Sequence, residues 1–89
     1  MKNKHIEVVK KWLADNNSVS LEELKANIRA ARDEARASDH DADWVAAKAA
    51  SAALSSGEAA RDAREAYADW AAGEADHWVK RYEELTDVK

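Results

Sequence analysis

The chain has 89 residues and a net charge of -4, with 36% charged residues, two Gly and neither Cys nor Pro. That length allows one domain with a modest core, and the composition excludes a disulfide framework, a Cys-based zinc centre, a thiolate nucleophile and a turn-rich β fold. No run approaches the roughly 20 apolar residues of a membrane span, and the charged start MKNKHIEVVKKWLADNN is unlike a signal peptide, so a cytoplasmic protein without membrane contact is expected.

Residues 4–15 read as a first helix. Ile6, Val9 and Leu13 recur on one face, widened by Val8 and Trp12. Asp15-Asn16-Asn17 ends it, because Asn and Asp favour turns over helix interiors.

Ser20 opens a second helix. Ser20-Leu21-Glu22-Glu23 is a capping box, with Val19 and Leu24 at hydrophobic-staple positions. Leu21, Leu24, Ile28, Ala31 and Ala35 then repeat at alternating steps of three and four, a coiled-coil-like seam. Ser38-Asp39-His40-Asp41 is the next break.

A third helix is expected over 42–54, with Trp44, Ala47, Ser51 and Leu54 on one side. Ser55-Ser56-Gly57-Glu58 reads as a turn, since two Ser and a Gly are poor helix formers and Ser55 and Glu58 stand at capping-box spacing. The alternative is a kink joining two continuous helices. A fourth helix follows over 57–85, with Ala60, Arg64, Tyr67, Ala71, Trp78, Tyr82 and Leu85 facing the bundle. Ala42-Asp43-Trp44 recurs as Ala68-Asp69-Trp70, and there is no third copy, which excludes a solenoid. The fold class is therefore all-α: one domain over 1–89, an antiparallel bundle of three or four helices with an alanine-rich, Trp/Tyr-punctuated C-terminal half.

Charge is segregated along this bundle. Residues 1–38 hold eight Lys/Arg against six Asp/Glu, and residues 39–89 hold six against twelve. Placed at 100° steps, Lys25, Arg29, Arg32 and Arg36 form a narrow basic band beside the second helix's seam. Glu58, Asp62, Glu65, Asp69 and Asp76 form an acidic band on the fourth, which Glu83 extends. The ordinary reading of such bands is a solvated helix face. The functional reading makes the acidic band a surface for a Lys/Arg-lined groove on a partner protein. A strand mimic would carry far more charge, and four cations on an acidic protein argue against direct nucleic-acid binding. The two bands can also meet between chains, giving an oligomer. Glu74 falls among the aromatics of the fourth helix. It either reaches solvent from the seam edge or forms a buried ion pair with Arg81 or Lys48.

Chemistry is missing from the pattern. His5, His40 and His77 are scattered, with no pair at one-turn spacing for a metal. Asp39-His40-Asp41-Ala42-Asp43 starts like a calcium loop, but Trp44 and Ala50 stand where that loop needs Gly and Glu. No phosphate loop, nucleophile elbow or paired-carboxylate pocket is visible. The expectation is a non-enzyme with no catalytic residue, metal or cofactor.

The segment Ala71-Ala72-Gly73-Glu74-Ala75-Asp76-His77-Trp78-Val79-Lys80-Arg81-Tyr82-Glu83-Glu84-Leu85, the Trp/Tyr-punctuated alanine runs before it, and the His5-to-Leu24 stretch together resemble a loose group of small alanine-rich bacteriophage proteins. The resemblance implies a host-takeover or counter-defence role of the anti-CRISPR kind. Such a protein binds a bacterial host protein in the host cytoplasm and inhibits a defence or nucleic-acid-handling function, without catalysis. Similar chains also look like toxin-immunity proteins; that role, or a self-assembling structural one, is the alternative. Separately, the alanine-rich seam leaves a homodimer open. No functional residue carries over, because neither group has a fixed motif here.

Overall fold

Four α-helices form the bundle in the computed structural model, which describes residues 3–38 and 40–86. They are α1 (Lys4–Ala14), α2 (Leu21–Ser38), α3 (Asp41–Arg61) and α4 (Glu65–Thr86), with one 3-10 turn, Asn16–Ser18, after α1. There is no strand among the described residues. The third helix is central: α2 and α4 pack along it, and the shorter α1 touches all three others.

The start of α1 is capped by Asn3, whose Oδ1 accepts from the backbone N–H groups of His5 (2.8 Å) and Ile6 (3.1 Å). Ile6, Val9 and Trp12 are buried, with Val8 and Leu13 packed against the core beside them. The expected capping box is present at α2. The Glu23 N–H donates to Ser20 Oγ (3.1 Å), and the Ser20 N–H donates back to Glu23 Oε1 (3.3 Å). Leu24, Ile28, Ala31 and Ala35 are buried along its seam, and Leu21 is half-buried. Of the break after α2, Asp39 lies outside the described residues. On either side of it, Ser38 Oγ donates to the Asp43 carboxylate.

The second half corrects the sequence reading. No turn interrupts 55–58: Ser55, Ser56, Gly57 and Glu58 are all interior to α3. Ser56 is buried and its Oγ donates to the Ala68 carbonyl of α4 (2.7 Å), which satisfies a hydroxyl that would otherwise argue against burial. Gly57 sits where α2 comes close. A Cβ there would lie 2.8 Å from Leu21 Cδ2 and 3.2 Å from Leu24 Cδ1. The residue types that resembled a stop are instead what lets α3 touch both neighbours.

The real break is at 62–64. Ala63 has φ 60°. The Arg64 N–H donates to Ala59 O (2.8 Å) and the Ala63 N–H to Ala60 O (3.1 Å). This is a Schellman motif with Ala at the left-handed position usually held by Gly. The fourth helix therefore begins at Glu65, not at 57.

Its inward face is also different. Ala68, Ala71, Ala75, Val79 and Tyr82 are buried. Of the residues expected inside, Ala60 and Arg64 are exposed and belong to α3 and the turn, and Tyr67 (41%) and Leu85 (43%) are exposed on α4. Trp78 is half-buried. On α3, Trp44 is likewise exposed (39%), while Ala46, Ala49, Ala50 and Ala53 are buried. Alanine holds the helices together here, and most of the aromatics stand beside the seam. Small side chains let helix axes approach, so backbone and Cβ contacts replace large interdigitated side chains.

Candidate functional site

Around α4, at about 100° per residue, three strips separate. The buried alanine strip lies in the middle. Glu65, Asp69, Asp76 and Glu83 fall within about 40° of one another on one flank. Tyr67, Trp70, Glu74, Trp78 and Leu85 occupy the other flank. The acidic flank faces α1, because Lys10 of α1 bonds Glu83 (Nζ to Oε2, 2.6 Å). That hydrogen bond raises the Lys10 pKa, against a smaller opposing effect of desolvation.

The structure divides the five acidic residues assigned to one band. Glu58 is half-buried on α3, and Asp62 caps α3, accepting from Arg61 Nε at 3.4 Å. These two border a hollow with Arg64 and Tyr67, away from the α1 side. Asp76 is on the acidic flank of α4 but is paired with Lys80 (3.0 Å). Glu65 and Asp69 remain together on that flank, and neither makes an ion pair among the described residues. A single five-residue face required one helix through 58–76, and the break at Ala63 removes it.

Glu65 and Asp69 border an open cavity of about 590 Å³. It opens where α1 ends. An 11-residue helix spans about 16 Å, against about 33 Å for the 22-residue α4, so α1 covers only part of the groove between α2 and α4. The uncovered part has an apolar lining from Trp12, Val19, Leu21, Leu24, Ala68 and Ala72. Asn16 and Asn17 stand at one edge and Arg61 at another, the latter engaged by Asp62. The groove-lining apolar residues escaped the sequence reading. The available signal was length: a 12-residue first helix cannot cover partners of 18 residues or more.

The basic band survives as a geometric unit. Lys25, Arg29, Arg32 and Arg36 share one flank of α2, with Lys25 half-buried and the three Arg exposed. None forms an ion pair among the described residues. Glu74 is half-buried and pairs with neither Arg81, which meets Glu84 (3.4 Å), nor Lys48, whose Nζ sits 4.7 Å from the Trp78 ring centroid.

One further polar cluster was not anticipated. His5 is buried between α1 and α2, with Nδ1 2.9 Å from Asn27 Oδ1 and Nε2 2.5 Å from Glu34 Oε2. The Asn27 amide donates to the His5 carbonyl (3.2 Å), which fixes its orientation. Both ring nitrogens thus have an oxygen partner within hydrogen-bond distance. No group of three or more His, Cys, Asp or Glu is arranged to hold a metal ion among the described residues, and no described helix is long and apolar enough to cross a membrane.

No protein-family model, curated protein or solved structure matches this chain.

Proposed function

We propose that this is a non-enzymatic binding protein that takes a basic, partly apolar segment of another protein into the groove beyond α1. The observation that supports the reading is the pairing of a partly apolar cavity of about 590 Å³ with two carboxylates, Glu65 and Asp69, that make no ion pair among the described residues. An apolar anchor from the partner would remove the groove lining from water, and a flanking Lys or Arg would meet the carboxylates. Such complementarity steers association and selects among partners. In its finer form the reading follows the compositional resemblance: the partner is a bacterial host protein of defence or nucleic-acid handling, and the protein is a phage-encoded inhibitor acting in the host cytoplasm. Toxin neutralisation or self-assembly is the alternative.

Capture from bacterial lysate tests the groove. A partner held by the wild type is expected to be lost with Glu65→Lys/Asp69→Lys and retained with Arg29→Glu/Arg32→Glu on α2. Retention of the same partner by the Glu65/Asp69 variant would remove the acidic groove from the mechanism. Loss only with the α2 variant would move the contact to the basic flank.

A further inference from the structure

The flank of α4 opposite the acidic groove carries the molecule's most exposed aromatic side chains. Trp70 is 60% exposed and Tyr67 41%, with their ring centroids 5.6 Å apart. Trp78 stands further along the same flank, half-buried. Between these rings and α3 lies an open hollow of about 280 Å³, bordered by Lys48 and Glu74. Isolated exposed apolar residues are ordinary, but a contiguous aromatic row beside a hollow marks an interaction surface.

We propose that this face is the contact of a two-fold symmetric homodimer. The charges on it are self-complementary. Lys48 and Glu74 have opposite sign, border one hollow, and make no ion pair among the described residues. In a two-fold contact, residue i of one copy meets residue j of the other, and the reverse holds as well. Lys48 then meets the second copy's Glu74 twice across the axis, and each Trp70 enters the other copy's hollow. The cation–π contact to Trp78 holds the Lys48 ammonium over the flank in advance. The need for such a contact follows from the core. Among the described residues, eleven of the twenty buried apolar ones are Ala, while Trp44, Trp70 and Trp78 all lie outside that set. The fold thus leaves much of its largest apolar surface outside, where burial against a second copy recovers it. The acidic groove lies on the other flank of α4 and stays open in the dimer, so this contact does not depend on the groove's role.

Sedimentation equilibrium of the full chain over a range of concentrations tests the dimer. The wild type is expected to pass reversibly from monomer to dimer, with no larger species. Trp70→Glu should weaken association by about 30-fold or more, the loss typical of a central aromatic anchor, while leaving the helical circular dichroism unchanged. Lys48→Glu and Glu74→Lys should each weaken the dimer, and the two together should restore it, because the charges are then exchanged on both sides of the axis. A wild type that stays monomeric at all concentrations, a dimer indifferent to Trp70→Glu, or a double variant no better than the single ones would each overturn the proposal. A monomer that binds a basic peptide through Trp70 would assign the face to a different partner and overturn it equally.

Discussion

At the scale of single residues, the least expected feature is the polar joint between α1 and α2. His5 and Asn27 are buried, and each meets the other twice, ring to amide oxygen and amide to backbone carbonyl. Glu34 closes the joint from the half-exposed side, with Lys4 3.8 Å from its other oxygen. A buried polar group without a partner costs about 1–3 kcal/mol, whereas removing both partners of a pair can be nearly neutral. His5→Leu is therefore expected to cost about 2 kcal/mol or more in urea unfolding, because the Asn27 amide loses its ring partner. Asn27→Leu should cost a similar amount. The double variant should cost clearly less than the sum of the two, and additive losses would show that the two side chains do not act as a pair. Nothing in the spacing of His5 and Asn27 announces this contact. A lone His on an apolar helix face carries no sign of what the next helix will offer it.

At the scale of elements, legibility followed how local the deciding interaction is. The first two helices were readable because their signals lie within a few residues. Asn or Asp stops α1, and Ser20 with Glu23 starts α2 through bonds that are all present. Gly57 and Ala63 invert the usual signs. Gly57 is kept inside a helix by the approach of Leu21 and Leu24 from α2, a reason invisible along the chain. Ala63 takes the left-handed position that ends α3, where the sequence shows only a good helix former. The two sites should respond oppositely to exchange of the same methyl group. Ala63→Gly removes a left-handed strain of roughly 1–2 kcal/mol and adds chain entropy worth somewhat less, so a gain of about 0.5 kcal/mol is expected. Gly57→Ala gains about 1 kcal/mol of helix propensity. It also forces a Cβ against the fully buried Leu24 and against Leu21, at an overpacking cost of about 1–3 kcal/mol, so net destabilisation is expected. Thermal unfolding of the two variants measures both signs. A more stable Gly57→Ala would show that the two Leu side chains yield freely.

The candidate site was legible in phase but not in extent. Glu65, Asp69 and Asp76 do share one flank of α4, as their spacing demands. Glu58 and Asp62 were joined to them only by assuming one helix through 57–85, and Ala63 breaks that assumption. Tyr67, Trp78 and Leu85 are expected in the core from the sequence, because large apolar side chains are usually buried. Periodicity reports which residues share a strip and leaves open which strip turns inward. Here the alanine strip does, and Tyr67, Trp70 and Leu85 stay exposed.

At the scale of the whole molecule, α1 is a strap tied at two points to two different helices. Near its start, His5 holds it to α2. One and a half turns later, Lys10 holds it to α4 through Glu83. The second tie has a definite pH signature. The Glu83 hydrogen bond raises the Lys10 pKa above its ordinary value near 10.5, so folding favours the protonated amine. The tie's contribution is complete below the unfolded-state pKa of about 10.4 and is lost as pH rises through the folded-state value. Both side chains are about two-fifths exposed, and screening by water limits the contribution to under about 1 kcal/mol. Lys10→Met keeps much of the apolar stem and removes the charge. Its stability deficit relative to wild type is expected to be constant from about pH 6 to 9 and to close as pH rises through the raised folded-state value. It should also shrink in about 1 M salt, where the screening length falls to about 3 Å. Urea unfolding across that pH range reads the difference directly. A deficit that persisted at high pH and high salt would mean that the stem's packing, and not its charge, fastens α1 beside the acidic groove.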